Sequence, residues 1–370
     1  MINVHSWGPF LTTDINRAEF GIFSRDVLST TQIDLGYTYD VNEETGFASA
    51  GLSYQGWYPI IDIKAEYGDR SSDDQFFNAE DSLINVDFNW KETTIQAGLR
   101  IPFQLTRSKF FTSLSVSNDV RITKVTSFEN SINGGGRIIP VTDSTAVIFR
   151  DQLDNGTLIN NVFSVVGSRL LKTSQRDILP QWGQFVAFEH WSSPFGGDFS
   201  SGLFAFRSAA FFPSPFQLIG PEIFKHHSLN LRYSYQSMQF GLEEDSYLLR
   251  NRIGRPRGYS FPTDNKFHYL AINYTLPLIY PDVALGPVLN IQRIKANLFY
   301  DYGFGELDLP EADFLRQQTY QSFGAEITFD FNLFRFRPLF EVGARYTYRQ
   351  ATQFEPAGTE IELIIGNIGI

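Results

Sequence analysis

The sequence predicts an all-β fold, a transmembrane antiparallel β-barrel of about sixteen strands, and three observations lead to this prediction. Apolar and polar residues alternate along many segments. Aromatic residues make up 16% of the chain, yet the mean hydropathy is only -0.18, as expected for a sheet with one apolar and one polar face. No run of about 18 apolar residues occurs, so membrane-spanning helices are excluded. A chain that spans a membrane with strands must close them into a barrel; a soluble β-sandwich or propeller is the alternative.

Composition narrows the function classes. The 370 residues include no cysteine, which excludes disulfides, thiol chemistry and cysteine-ligated metals. The net charge of -11 argues against a nucleic-acid partner, and no cofactor is expected. No signal peptide follows Met1. We therefore expect residues 1–17 to lead in from an absent upstream region and residues 18–370 to form the barrel domain.

Two-residue periodicity assigns the faces of the strands. Asp330 lies between Phe329 and Phe331, and a charge there would cost a few kcal/mol if it faced lipid, so it is expected to face a polar interior. The outward sets predicted in the same way include Ile33, Leu35, Tyr37 and Tyr39; Ile84, Val86, Phe88 and Trp90; Leu229, Leu231, Tyr233 and Tyr235; and Val342, Ala344, Tyr346 and Tyr348. Inward charges such as Glu326, Arg345 and Arg349 are expected to pair with one another.

The predicted strands lie near 18–24, 30–41, 46–56, 59–69, 82–91, 93–106, 109–126, 157–173, 183–193, 200–213, 226–239, 265–279, 291–304, 317–332, 336–350 and 359–369. Outer-membrane barrels have short inner turns and long outer loops. The two longest connectors, 127–156 and 240–264, follow odd-numbered strands, which places them outside. The segments around 43–45, 106–109 and 332–338 are predicted as inner turns. Two connectors, 70–81 and 214–225, are long for inner turns.

Two motifs are brought together by this strand order. The loop 240–264, the sixth outer loop, contains Pro256-Arg257-Gly258-Tyr259, and predicted strand thirteen contains Phe299-Tyr300-Asp301-Tyr302-Gly303. Alternation turns Phe299, Asp301 and Gly303 inward. An inward carboxylate favours a cation, and the planar guanidinium of Arg257 can bind it through two hydrogen bonds. Gly258 would permit a tight turn, and Gly303 would leave room for the loop to approach the wall.

These motifs resemble those of the BamA/TamA/FhaC superfamily of outer-membrane assembly and translocation barrels. The resemblance implies that the sixth outer loop folds into the lumen, and that Arg257, Gly258 and Tyr259 are anchored there by Asp301, Phe299 and Gly303. It also implies that the protein is located in the bacterial outer membrane. The implied function is insertion or translocation of proteins by lateral opening between the first and last strands, without enzymatic chemistry. Expected partners are outer-membrane lipid, client proteins, and periplasmic or lipoprotein components. Pro256 replaces the family's usual valine, Ile370 stands where an aromatic residue is usual, and the family's periplasmic modules are absent from this sequence.

Other functions remain open at this point. The chain could be a barrel anchor or pore for a fused periplasmic domain, or a porin-like channel with an open lumen. A lipid hydrolase would need a serine and histidine set, and His190 with Ser192 or Ser193 is the only local indication of one. The five histidines show no metal-ligand spacing, and His226-His227 is expected to be a solvated turn.

Overall fold

The computed structural model describes residues 4–10, 17–77, 83–132, 136–137, 155–174, 176–220, 222, 224–239, 245–247, 249–259, 264–309, 314–333, 339–353 and 355–368. All of its strands belong to one sheet of 18 strands. A sandwich needs two packed sheets and a propeller needs several separate four-stranded sheets, so neither alternative matches this topology. Within the described ranges, no helix has both the length and the hydropathy of a membrane span.

Sixteen of the strands are long enough to form the wall, and the remaining two are short hairpin pieces at 136–137 and 283–285. The sixteen are β1 Val4–Phe10, β2 Arg17–Arg25, β3 Thr31–Asp40, β4 Thr45–Tyr54, β5 Ile60–Phe77, β6 Leu83–Gln104, β7 Phe110–Ile132, β8 Gly156–Leu171, β9 Gly183–Ser192, β10 Gly202–Pro213, β11 Ser228–Gln239, β12 Lys266–Ile279, β13 Leu289–Leu309, β14 Phe314–Leu333, β15 Leu339–Arg349 and β16 Gly358–Ile368. Each pairs antiparallel with the next along the chain. The predicted all-β antiparallel architecture is confirmed.

The predicted strand count contains two errors that cancel. Residues 4–10, placed by sequence analysis outside the barrel, form β1 and pair with β2. The predicted strands 82–91 and 93–106 are one strand, β6, and the expected break is a β-bulge between Asn89 and Lys91 in its ladder with β7. A bulge shifts the alternation by one residue without ending the strand. From β7 onward the strand numbers agree, so the two motifs keep their predicted positions.

This corrected order changes the side assigned to two connectors. The turn after β3 and the connector after β5 follow odd-numbered strands, so both lie at the same end as the sixth outer loop. The prediction that the segment around 43–45 is an inner turn is therefore wrong. A contact supports the new assignment, because Arg70 on the far half of β5 donates to Glu43 in that turn at 2.6 Å. The connector after β10 stays on the inner side and contains a 3-10 helix, Pro215–Leu218.

The predicted sidedness of the membrane-spanning wall is confirmed. Tyr300 and Phe329 are each 38% exposed on the outer face, whereas their neighbours Asp301 and Asp330 are fully buried. Tyr37 is 52% exposed, and the adjacent Thr38 is buried. Apolar side chains outside and polar side chains inside are the arrangement that a lipid surround requires.

One predicted outward set is wrong at Phe88 and Trp90, while the side chains of its other two members, Ile84 and Val86, lie outside the described residues. Trp90 is buried inside the sheet and packs with Val125, Leu158 and Phe199, with Phe88 partly buried against them. Strands β6 and β7 contain 22 and 23 residues, about twice the length that crosses a bilayer. This stretch lies at the loop end of the two strands. We infer that it projects beyond the lipid, where water outside the sheet favours apolar packing on its inner side.

The first and last strands form the edges of the described sheet. β1 pairs with β2 and β16 pairs with β15, and no ladder between β1 and β16 occurs among the residues described. The β1 ladder has a register irregularity between Val4 and Ser6. Within the described residues, β1 and β16 are therefore the two wall strands with a neighbour on one side only.

The inner end of the wall is held by a polar cluster between turns. His226 Nδ1 lies 2.7 Å from Asp177, and His227 Nδ1 lies 2.9 Å from the Tyr274 hydroxyl. Burial raises the pKa of Asp177, but hydrogen bonds with His226 and Ser174 outweigh burial and hold that pKa below its ordinary value. His227 is buried, so the expectation of a solvated turn is wrong for that residue.

Candidate functional site

The sixth outer loop connects β11 to β12 and enters the lumen. Its described residues include Leu249, Ile253 and Tyr259, which are buried in one apolar cluster with wall residues. The wall residues of this cluster are Trp191, Leu203, Ala205, Met238, Phe267, Tyr269, Ala271 and Tyr320. The part of the lumen wall that contacts the loop is thus apolar. Hydrophobic burial therefore stabilises the docked loop in addition to the predicted polar anchor.

Arg257 and Asp301 meet in the lumen through three hydrogen bonds. The guanidinium donates from Nε to Asp301 Oδ2 at 2.8 Å and from Nη2 to Asp301 Oδ1 at 3.0 Å, in a fork geometry. The backbone N–H of Arg257 donates to Asp301 Oδ2 at 3.0 Å. The Asp301 side chain has no exposure and that of Arg257 is 14% exposed. A buried charge pair with this many hydrogen bonds is strongly directional, so it fixes both the side chain and the loop backbone.

Further wall residues complete the shell around the guanidinium. Nη1 lies 3.1 Å from Glu326 Oε1, and Nη2 donates to Asn273 Oδ1 at 2.7 Å. The guanidinium carbon lies 3.7 Å from the centre of the Phe299 ring, within cation–π range. Phe299 can lie flat there because the neighbouring wall residue is Gly324, where a Cβ would come within 2.7 Å of the Phe299 ring.

Two glycines permit the close approach of loop and wall. A Cβ on Gly303 would lie 2.8 Å from Cγ of the buried Pro256, so the loop proline occupies the space that the glycine leaves. Gly258 has φ of +81°, a conformation that L side chains rarely adopt, and a Cβ there would lie 2.9 Å from Thr347. Its carbonyl accepts a hydrogen bond from Arg349 Nη1 at 2.6 Å. The proline at the motif's first position is therefore compatible with docking.

Tyr259 joins the loop to the junction between β14 and β15. Its hydroxyl lies 2.7 Å from the Gln321 carbonyl and 2.8 Å from the Gln350 carbonyl, and it accepts from the Gln321 N–H at 3.2 Å. The ring meets Tyr320 edge-on, with centroids 5.3 Å apart. The hydroxyl thus bonds main-chain groups of both strands near the end of their shared ladder.

Replacing Tyr259 by phenylalanine is expected to lower the free energy of unfolding by about 1–3 kcal/mol, because buried main-chain groups lose their partner. Denaturant unfolding of the barrel in detergent measures the change. Tyr300→Phe is the matched control, since that hydroxyl is on the outer face and is expected to matter by less than about 0.5 kcal/mol. Equal effects of the two substitutions would contradict the role given to Tyr259.

Sequence reasoning missed two residues of this network. Asn273 stands opposite Phe299 in the ladder between β12 and β13. Glu362 on β16 binds Arg345 Nη1 at 3.0 Å, and Arg345 Nε also binds Glu326 at 2.6 Å. Alternation places both residues at inward polar positions of their strands. Which side chain each one contacts depends on the register between strands, and alternation within one strand does not reveal that register.

Comparison with known proteins gives the fold. No family model and no curated protein match the sequence. The structure is similar to CdiB from Escherichia coli, with a TM-score of 0.50 and 12% identity over 94% of this chain and 58% of that one. It is also similar to BamA from Haemophilus ducreyi lacking POTRA domains 1-3, with a TM-score of 0.51 and 10% identity over 95% of this chain and 67% of that one.

The similarity covers nearly the whole of this chain, whereas the chain spans under two thirds of that CdiB. At these identities the likeness concerns the fold. In its fold, this chain is an antiparallel transmembrane β-barrel similar to those of CdiB and BamA, with its sixth outer loop inside the lumen.

Proposed function

We propose that this barrel acts in the insertion or translocation of proteins at the bacterial outer membrane, without enzymatic chemistry of its own. The observation that carries the proposal is the docking of the sixth outer loop in the lumen. There, Arg257 Nε donates a hydrogen bond to Asp301 Oδ2 at 2.8 Å. A porin needs an open lumen, whereas this loop occupies part of it. The motif resemblance supports the same function, since the superfamily consists of assembly and translocation barrels.

The seam supplies a route for clients. β1 and β16 share no ladder within the described part of the chain, and β1 has an irregular ladder with β2. Among the residues described, separating these two strands breaks no ladder hydrogen bond, whereas every other pair of consecutive wall strands shares a ladder. The client, under this proposal, is an unfolded or extended protein segment that pairs with an exposed strand edge. Outer-membrane lipid and periplasmic or lipoprotein components are the further partners.

A cysteine test takes advantage of a chain without cysteine. One cysteine at Trp7 and a second at a scanned position between 361 and 365 would join β1 to β16 by a disulfide. In proteoliposomes supplied with an unfolded outer-membrane barrel, we expect oxidation to stop client insertion and reduction to restore it.

The control disulfide joins two strands that are already paired. Ala344 and Leu363 stand opposite each other in the ladder between β15 and β16, so a disulfide there leaves the seam free. We expect this control to insert the client equally well when oxidised and reduced. If the seam disulfide leaves insertion unchanged, lateral opening is refuted; if the uncrosslinked barrel inserts no client, an anchor for a fused periplasmic domain becomes the better account.

A further inference from the structure

A lumenal cavity of about 550 Å³ lies beside the sixth outer loop and is distinct from the Arg257 anchor. Its walls come from the loop, from β5 to β9, and from the turn after β3. Cavities of roughly 300–1,000 Å³ are the size that holds small organic ligands. The loop end of the barrel therefore contains space for a ligand, and its lining decides which chemistry fits.

The lining carries an excess of positive charge, although the whole chain is acidic. Four arginines and two glutamates line the cavity. Both glutamates are already engaged, since Glu43 binds Arg70 through two hydrogen bonds of 2.7 and 2.6 Å, and Glu92 accepts from Trp90 and Thr94. The four arginines therefore outnumber the two carboxylates, and the lining keeps a net positive charge.

Three of the arginines have no carboxylate partner among the residues that the structure describes: Arg121, Arg250 and Arg252. Arg121 projects inward from β7, while the other two lie on the loop. Arg252 is held over the Trp191 ring, 4.2 Å from its centre, and its buried Nε has no hydrogen-bond partner in the described structure. Burying a donor without a partner is costly, so the arrangement favours an acceptor brought in by a ligand.

We propose that this cavity binds a phosphate monoester carried on a sugar-sized group. Arginine guanidinium groups match the geometry and charge of phosphate oxygens. Trp90 and Tyr247 in the lining supply aromatic surface for the carbon skeleton. The site does not depend on the proposed transport function. The same chemistry could come from a free sugar phosphate or from the phosphorylated sugar headgroup of a membrane lipid.

Calorimetric titration of the detergent-purified barrel tests the proposal. Glucose 6-phosphate is the free probe, a detergent-dispersed lipid with a phosphorylated glucosamine headgroup is the second, and glucose is the neutral reference. We expect one or both phosphorylated probes to bind and glucose not to bind. Binding of the lipid alone identifies a headgroup site, and binding of glucose 6-phosphate identifies a site for free sugar phosphates.

Two variants localise the binding. Arg121→Gln together with Arg250→Gln is expected to weaken it at least about ten-fold, because charged hydrogen bonds to the phosphate are lost. Arg100→Gln removes one positive charge from an arginine that pairs with Asp62 outside the cavity, and it is expected to leave binding unchanged. Heat-dependent migration on a gel verifies that each variant is folded. The proposal is overturned if neither phosphorylated probe binds, if glucose binds equally well, or if the double variant binds like the parent.

Discussion

Replacing Arg257 by methionine is expected to lower the free energy of unfolding of the barrel by about 3–5 kcal/mol, the usual cost of leaving a buried charge without its partner. Asp301 has no exposed surface, so its carboxylate depends on donors from the protein. Glu326 keeps its ion pair with Arg345. Asp301 is therefore the carboxylate that loses its cation. Unfolding in denaturant with the barrel in detergent measures the effect.

A double-mutant cycle separates the pair from its surroundings. Asp301→Asn removes the buried charge, so the variant carrying both substitutions is expected to lose less stability than the two single losses added together. The control is Arg100→Met, whose ion pair with Asp62 is more than a third exposed on both sides. That substitution should cost at most about 1 kcal/mol. Strict additivity at positions 257 and 301 would show that the two side chains act separately.

Charge reversal of the same pair is expected to restore only part of the folded barrel. In Arg257→Asp with Asp301→Arg, the new carboxylate at position 257 would face Glu326, which lies 3.1 Å from the present guanidinium. The double exchange should still leave more heat-resistant barrel on a gel than either single exchange. No gain over the single exchanges would refute the pairing as the source of loop docking.

Gly303→Val is expected to displace the sixth outer loop and raise the ion conductance of the barrel in a planar bilayer. A Cβ at this position would lie 2.8 Å from Pro256 and 3.0 Å from Phe267, and overpacking of this kind costs about 1–3 kcal/mol. Since Gly303 is on the wall and Pro256 is on the loop, moving the loop is the simplest relief. Current recordings at fixed voltage give the readout.

Gly366→Val is the matched control for the conductance experiment. A Cβ on Gly366 meets nothing within 4 Å, so this substitution adds the same side chain to a lumen wall without touching the loop. We expect its conductance to equal that of the parent. A parent that already conducts strongly, with no increase for Gly303→Val, would favour the porin-like alternative.

Alternation in the sequence was sufficient to predict the faces of the membrane wall. Asp301 and Asp330 could be placed inside because each lies between aromatic residues that tolerate lipid while a carboxylate does not. The same rule failed at Trp90, since it assumes lipid outside the sheet along the whole strand. β6 continues past that region and contains a bulge, and neither feature has a signature in the two-residue pattern.

The first strand was missed for a different reason. β1 contains Gly8 and Pro9, residues that are depleted in strands. Proline is tolerated on an edge strand, where its missing N–H need not serve a neighbour, and β1 is at the edge of the described sheet. For the site, the motif residues were predictable, whereas Asn273 and Glu362 depend on register and on the path of the loop.

The most direct test of a lipid-embedded barrel with its apolar face outward is a spin-label scan of β3 in proteoliposomes. Labels are placed singly at cysteines introduced from 33 to 40, and oxygen accessibility is measured because oxygen concentrates in lipid. The structure predicts an oscillation with a period of two residues, high at positions 35, 37 and 39 and low at 34, 36, 38 and 40. A uniform profile, or an oscillation in the opposite phase, would contradict it.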